Sequence, residues 1–325
     1  MLPKGFATSA ETGGTPDVFG IDHGVAWVVS EAPATQEVVV NVTANGGRTW
    51  ARGSIVTNPF SMGPVTVRSI SFLDALQGWV VLQPMHGMGS EPGTLYETSD
   101  GGQVWRLVAS SGTGYLPFGG VVRFQSSSSG WMVGPVASTA PSELVRTQSG
   151  GTSWQTVALP GDIPSQTSVV TPPQAFGGTL VLPVAVRSTG LIASLQFALY
   201  TSRDGGHSWR RTTVVFDAPV GAVDVASADT TFVWAGYQEN SYAGTPVQGE
   251  LLATSDGGRT WTRIPATGTL RQVMRAGMGI RALDFVNAQD GWAITGPMTG
   301  TGYGPLLVTH DGGATWQVVG ETVSG

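Results

Sequence analysis

The chain of 325 residues has no cysteine, one lysine and four histidines. Without cysteine it has no disulfide, no thiolate metal site and no cysteine nucleophile. With a net charge of −6 and 12% charged residues, it lacks the basic stripe typical of nucleic-acid-binding surfaces. No apolar run approaches the roughly 18 residues of a membrane helix, and the first residues lack the apolar region of a signal peptide. We therefore expect no nucleic-acid partner, and no membrane segment, signal or anchor within this chain.

One eight-residue motif occurs six times. Each copy begins with Thr or Ser, carries Asp, Asn or Ser at its third position, continues with Gly-Gly and ends in Trp. The third-position residues are Asn45, Asp100, Ser149, Asp204, Asp256 and Asp311, and the closing residues are Trp50, Trp105, Trp154, Trp209, Trp261 and Trp316. Successive closing tryptophans are 55, 49, 55, 52 and 55 residues apart, which is the period of a four-stranded propeller blade.

The residue types of the motif predict a hairpin with a structural role. Glycine accepts the positive φ that a tight turn needs, and a short polar side chain can bond backbone N–H groups inside the turn. The Trp that opens the next strand can cover the hairpin with its ring. We therefore interpret all six acceptors and all six tryptophans as structural.

A second element lies upstream of each hairpin. Phe72 precedes Trp79 by seven residues, and the same interval separates Phe124 from Trp131. Such pairs predict two short strands joined by a polar turn. With the hairpin strands they make four strands, A to D, in units 16–56, 64–108, 119–157, 168–213, 221–264 and 280–321. In the fourth unit, Pro172 and Pro173 interrupt strand A.

These repeats predict an all-β fold: a single closed β-propeller of six four-stranded blades with the motif in each C–D hairpin, covering residues 1–325 as one domain. The hairpins resemble Asp boxes, also called bacterial neuraminidase repeats. Together with the Phe and Gly-Trp strand pair, they are most similar to the photosystem II stability/assembly factor family, whose photosynthetic members have seven blades instead of six.

The resemblance implies a non-catalytic binding, scaffold or assembly role with a protein partner, without a cofactor, in an extracytoplasmic location that is periplasmic, cell-surface or secreted. Asp boxes also occur in sialidases and xyloglucanases, so a glycoside hydrolase, sialidase-like or using another carboxylate pair, is the alternative, and carbohydrate remains a possible ligand. A fold of this kind hosts many activities.

The face formed by the B–C and D–A loops is the predicted binding face. Arg68 and Arg281 stand four residues before Phe72 and Phe285, at the entry of strand A, and we expect them to attract an anionic group at the mouth. The alternative is that each pairs with an acid such as Asp284.

Methionines and aromatic residues concentrate in the same loops. Such surfaces suit partners whose contacts must be repacked. The predicted set is Phe60, Met85, His86, Met88, Tyr237, Tyr242, Met274, Met278, Met298 and Tyr303. Coordination of Cu(I) by Met85, His86 and Met88 is a weaker alternative, and packing of long loops onto the blades is a third.

An enzyme of the glycosidase type would need two carboxylates roughly 5–10 Å apart. The loop face offers Glu91, Glu143, Asp162, Asp217 and Glu239, and the sequence does not choose among them. The sialidase-like tripeptide Arg263-Ile264-Pro265 follows the fifth hairpin, where strand D is expected instead of a catalytic site.

Overall fold

The computed structural model describes residues 17–20, 25–32, 37–45, 49–56, 65–84, 93–110, 120–135, 142–160, 167–169, 171–187, 195–216, 220–238, 246–297 and 304–318. Two compact units divide the chain, Met1–Ala158 and Leu159–Gly325. Each unit contains three antiparallel sheets, and each sheet is one blade.

The first unit contains three sheets of four strands each. Along each sheet the strands lie side by side in chain order. Blade one contains β1 (Asp17–Gly20), β2 (Ala26–Ala32), β3 (Glu37–Thr43) and β4 (Ala51–Val56); blade two contains β5 (Val65–Phe72), β6 (Gly78–Pro84), β7 (Thr94–Thr98) and β8 (Arg106–Ser110); blade three contains β9 (Val121–Phe124), β10 (Gly130–Pro135), β11 (Ser142–Thr147) and β12 (Gln155–Thr156).

The second unit repeats the arrangement with one short helix added. Blade four contains β13 (Thr167–Val169), β14 (Gln174–Phe176), β15 (Thr179–Arg187), β16 (Leu195–Ser202) and β17 (Arg210–Phe216); blade five contains β18 (Val220–Val225), β19 (Thr231–Gln238), β20 (Val247–Thr254) and β21 (Thr262–Ile264); α1 (Gly268–Arg275) leads to blade six, with β22 (Met278–Phe285), β23 (Gly291–Pro297), β24 (Leu306–Thr309) and β25 (Gln317–Val318). The predicted all-β, six-bladed propeller fold is confirmed. Its closure into one ring and its single-domain division stay predictions.

Blade four has a divided first strand. Both β13 and β14 pair with β15, and the break between them contains Pro172 and Pro173. Proline lacks the N–H that a strand ladder requires. The predicted interruption is therefore confirmed, and it adds a fifth strand to this sheet.

The connection between blades five and six contains α1, which the sequence analysis treated as a loop. Leu270, Val273 and Met274 are buried on one side of this helix, at the spacing of an amphipathic helix. Within the part of the chain that the structure describes, no helix is long and apolar enough to span a membrane.

Stacked aromatic rings join neighbouring blades inside each unit. A ring at the start of one blade's second strand lies flat against the phenylalanine that ends the next blade's first strand, with 8° between the ring planes. The stacked pairs are Trp27–Phe72 and Trp79–Phe124 at 3.7 Å between centroids, and Phe232–Phe285 at 3.6 Å. Hairpin tryptophans meet these phenylalanines edge-on, with Trp105, Trp154 and Trp316 at 6.1, 6.2 and 6.1 Å. The hydrophobic core therefore lies between the blades.

Each central phenylalanine lies against a glycine on the adjacent strand. Phe72 pairs with Gly78 across β5 and β6. A Cβ atom at Gly78 would lie 2.4 Å from the Phe72 ring, inside van der Waals contact. The glycine of the Gly-Trp pair is needed here because the ring occupies the space of a side chain.

The hairpin acceptors form the network that the sequence predicts. In blade five, Asp256 Oδ1 accepts hydrogen bonds from the N–H groups of Arg259 and Thr260 and from Thr254 Oγ1, at 2.8, 2.9 and 2.9 Å. Thr260 Oγ1 also donates to Asp256 Oδ2 at 2.7 Å. The backbone and side-chain hydrogen bonds from Thr260 lead the causes that lower the pKa of Asp256 to about 2.

Neutral acceptors take the same place in two blades. Asn45 Oδ1 accepts the Thr49 N–H at 2.9 Å, and Ser149 Oγ accepts the Ser153 N–H at 3.0 Å. The common feature of the motif is therefore hydrogen-bond acceptance inside the hairpin, which the charge of Asp strengthens.

The A–B turn also holds the hairpin of its own blade. A turn carbonyl accepts the N–H of the first motif glycine in four blades. These bonds join Gly101 to Leu76, Gly150 to Ser128, Gly257 to Asp229 and Gly312 to Gln289, at 2.8 to 2.9 Å. The A–B turns and C–D hairpins therefore lie on the same side of blades two, three, five and six.

We expect Gly78→Ala to destabilise the protein by about 1–3 kcal/mol, because the new methyl group must displace the Phe72 ring from its stack. Denaturant unfolding would measure this cost. The variant Phe72→Leu makes room, so the double variant should be more stable than the sum of the single costs predicts. A cost for Gly78→Ala near zero would contradict the rigid stack.

The substitution Asp256→Asn should reduce the loss of folding stability at low pH. Because the folded-state pKa of Asp256 is about 2, below its usual 3.8, its stabilising effect is present above pH 3.8 and is lost as the pH falls towards 2. Melting temperatures measured from about pH 5 to about pH 2 should fall further for the wild type than for Asp256→Asn. Asn45 shows that the amide fits this position. Parallel pH profiles would disprove the assignment.

Candidate functional site

Arg68 occupies a β-bulge in the first strand of blade two. Val67 pairs with Leu82 and Ser69 pairs with Val81, so Arg68 is the extra residue between two ladder positions. Bulges bend a strand and redirect a side chain, and they are common beside active sites. Arg68 is exposed, although its neighbours in the strand are buried.

A buried glutamine holds the Arg68 side chain. Arg68 Nε donates a hydrogen bond to Gln83 Oε1 at 2.5 Å, and Gln83 is only 4% exposed. This bond uses one face of the guanidinium group. The Nη groups have no partner among the residues that the structure describes, so they are available to an anion.

Arg281 occupies the same kind of bulge in blade six. Ile280 pairs with Thr295 and Ala282 pairs with Ile294, which leaves Arg281 as the extra residue. It is exposed. Blade five has a third such bulge between Val220 and Ala222, where the extra residue is glycine.

The described ion pairs do not include either arginine. They join Arg106 to Glu97, Arg263 to Glu250 and His310 to Asp290. The alternative in which Arg281 pairs with Asp284 is therefore not observed. The bond to Glu250, at 3.2 Å, gives Arg263 a cross-strand partner, which agrees with the structural reading of its tripeptide.

The methionine and aromatic surface is only partly within the described chain. Met274 is buried on α1, at 8% exposure, and Met278 is half-buried at the start of β22. The loop assignment was wrong for both residues: Met274 lies on a helix whose apolar side packs against blades five and six, and Met278 lies in the first strand of blade six. Tyr237 lies on β19. Phe60, Met85, His86, Met88, Tyr242, Met298 and Tyr303 lie outside the described residues, as does the possible copper cluster.

Of the candidate catalytic acids, only Glu143 lies within the described residues. Glu143 lies on β11, where its Oε2 accepts a hydrogen bond from Thr156 Oγ1 at 3.3 Å. Glu91, Asp162, Asp217 and Glu239 lie outside the described residues. Among the residues that are described, no cluster of His, Asp or Glu could hold a metal ion.

Sequence reasoning placed Arg68 and Arg281 at equivalent positions but missed the bulges. A bulge depends on how two strands pair, and the pattern of one strand does not contain that register. Glycine or arginine occupies this position in blades two, three, five and six, whereas the bulge is described only in blades two, five and six, so the residue type alone gave no reliable signal.

Comparisons with known proteins show that the fold is similar to that of several solved enzymes that act on carbohydrates. No family model and no curated protein matches the chain. The GH74 xyloglucanase of Xanthomonas campestris superposes with a TM-score of 0.54 and 15% identity, over 90% of this chain and 44% of its own. A GH74 enzyme of Niastella koreensis gives 0.51 and 14%, over 93% and 58%. A PL25 ulvan lyase bound to -[GlcA(1-4)Rha3S]- gives 0.53 and 12%, over 94% and 82%.

The chain spans about half the length of the two GH74 enzymes, and similarity at these identities shows the fold alone. The similarity corrects the main functional expectation. A non-catalytic scaffold with a protein partner was predicted, whereas the superposed propellers are glycoside hydrolases and a polysaccharide lyase. The finer resemblance to the photosystem II stability/assembly factor family is not shown by these comparisons.

A double-mutant cycle can test whether Arg281 and Asp284 are independent. We expect Arg281→Gln and Asp284→Asn each to change the free energy of unfolding by less than about 0.5 kcal/mol, and the two changes to add. The matched control is Arg263→Gln with Glu250→Gln, an observed pair for which we expect a coupling of about 0.2–1 kcal/mol. A larger coupling for Arg281 and Asp284 than for the control would show that Arg281 has a structural role.

Proposed function

We propose that the chain is a glycoside hydrolase that acts on an acidic polysaccharide and binds an anionic group of that polymer through Arg68, at the first-strand bulge of blade two. The observation that carries the proposal is Arg68. Its guanidinium group is exposed, lacks a carboxylate partner among the described residues and is fixed through Nε by a buried glutamine.

The chemistry of this arrangement suits carboxylate or sulfate. A guanidinium group offers parallel N–H donors that match two oxygens of an anion. Because Gln83 already orients the side chain, less conformational freedom is lost when an anion binds. Arg281 offers the same charge from a bulge in the second unit, although no fixing partner is observed among its described neighbours.

The superposed proteins support the choice of substrate class. One is a xyloglucanase, and another is a lyase bound to a repeat that carries a uronate and a sulfated sugar. For this chain, hydrolysis would require an acid and a base or nucleophile. The candidates for these two groups are the carboxylates that the sequence analysis named, which are Glu91, Glu143, Asp162, Asp217 and Glu239. A polymeric substrate also agrees with an extracytoplasmic location.

The purified chain should cleave an acidic polysaccharide. Ulvan, a polygalacturonate, xyloglucan and arabinan would be incubated with it, and new reducing ends would be counted. Elimination would be recognised by the ultraviolet absorbance of an unsaturated uronate, which hydrolysis does not form. For a cleaved acidic polymer, Arg68→Gln should lower kcat/KM by about tenfold or more, since a charged hydrogen bond is lost.

The matched control is Arg106→Gln, which removes an exposed arginine that is already paired with Glu97. It should retain wild-type kcat/KM. If none of the four polymers is cleaved, the proposed enzyme activity is refuted. Equal losses for Arg68→Gln and Arg106→Gln would refute the role of the bulge arginine, and elimination products would replace hydrolysis with lyase chemistry.

A further inference from the structure

A cleft opens between blades four and five on the side of the C–D hairpins. Its volume is about 490 Å³, within the usual range for small-ligand sites. Blade four contributes the hairpin residues Arg203, Ser208, Trp209 and Arg210, with the strand residues Thr179 and Thr201; blade five contributes Ala228, Asp229, Asp256, Gly257 and Arg259. All of these residues belong to the second unit.

A shortened turn explains why there is open space above the hairpin of blade four. The A–B turn of blade four has only Gly177 and Gly178 between β14 and β15, whereas five residues form this turn in blades two, three, five and six. In those four blades a turn carbonyl accepts the N–H of the first motif glycine. Gly205, the equivalent glycine of blade four, has no such carbonyl partner in the described chain.

The space around the first motif glycine also differs between blade four and blades two, three and six. A Cβ atom at Gly101 or Gly312 would lie 2.8 Å from a turn carbonyl, and one at Gly150 would lie 3.0 Å away. At Gly205, Gly177 and Gly178, nothing lies within 4 Å. The missing turn residues therefore uncover the hairpin of blade four beside the cleft.

The charges around the cleft favour an anion. Arg203, Arg210 and Arg259 are exposed, and none forms an ion pair with another described residue. Two acids, Asp256 and Asp229, also line it. The Asp256 carboxylate already accepts bonds from its own hairpin, so its oxygens compete little for the arginines. Three cations against two anions give a local positive charge in a chain of net charge −6.

The remaining lining residues favour a sugar. Trp209 is half-buried and lines the cleft, and a flat apolar ring suits the C–H face of a pyranose. The hydroxyl groups of Thr179 and Thr201 have no hydrogen-bond partner within the described ranges, and they can bond sugar hydroxyls. A simple phosphate or an acidic peptide would use the arginines but not this combination.

We propose that this cleft is a binding site for an anionic saccharide, recognised through a sulfate or a uronate carboxylate. The site lies on the hairpin side of blades four and five, and none of its residues is a bulge arginine. It does not depend on the chain being an enzyme, and it would hold a charged glycan without cleaving it.

Isothermal titration calorimetry of the full chain would test the site. The probes are a sulfated tetrasaccharide from heparin, tetragalacturonate, neutral maltotetraose and an oligoglutamate of equal charge. We expect one or both acidic sugars to bind, with an affinity that falls as salt is added, and the two acidic probes distinguish sulfate from carboxylate. The double variant Arg210→Gln/Arg259→Gln should bind about tenfold more weakly.

The matched control is Arg106→Gln/Arg263→Gln, which removes two exposed arginines from the fourth strands of blades two and five, each already paired with a glutamate. It should bind like the wild type. The titrations are repeated in the Arg68→Gln background, which removes the anion site of the proposed function, and the loss caused by Arg210→Gln/Arg259→Gln should persist there. The proposal is overturned if neither acidic sugar binds, if both double variants lose equal affinity, or if maltotetraose or oligoglutamate binds as tightly. Unchanged melting temperatures would show that the variants are folded.

Discussion

Stacking between aromatic rings of neighbouring blades is the interaction on which the rest of each unit depends. The Phe72 ring lies between Trp27 of the preceding blade and the edge of Trp105 of its own blade. Trp27 Nε1 also donates to the Gly101 carbonyl at 3.1 Å, which joins the second strand of one blade to the hairpin of the next. These contacts fix the end of the first strand, four residues beyond the bulge at Arg68.

Local sequence predicted most of this architecture because each blade repeats a compact set of residues with a direct physical role. The Gly-Gly pairs, the acceptors such as Asp256 and the Phe and Gly-Trp interval act within one or two adjacent blades. Pro172 and Pro173 even located the divided strand. The same reasoning missed α1, although Leu270, Val273 and Met274 have helical spacing, because the repeat led us to expect only loops between blades.

The candidate sites were harder to predict because they arise where the repeat changes. Arg68 gains its exposure from an extra residue in a strand pair, which only the register reveals. The cleft beside Trp209 exists because the turn at Gly177 and Gly178 is too short to cover the hairpin. The sequence shows that this unit lacks the Gly-Trp pair at the start of its second strand. That this change leaves a cleft could be seen only from the position of blade five beside it.

Both candidate sites use arginine in a chain with little charge. An unpaired charge is costly inside a buried strand. In a regular strand, side chains alternate between the two faces of the sheet, so the direction of each side chain is set by its position in the strand. A bulge relaxes that constraint at Arg68, and a hairpin tip does so at Arg259. Both arginines therefore reach solvent from a rigid scaffold, where preorganised donors bind an anion with less loss of conformational entropy. Because the hairpin motif recurs in all six repeats and the first-strand bulge in blades two, five and six, a change at one blade can create a binding site without disturbing the stacked core.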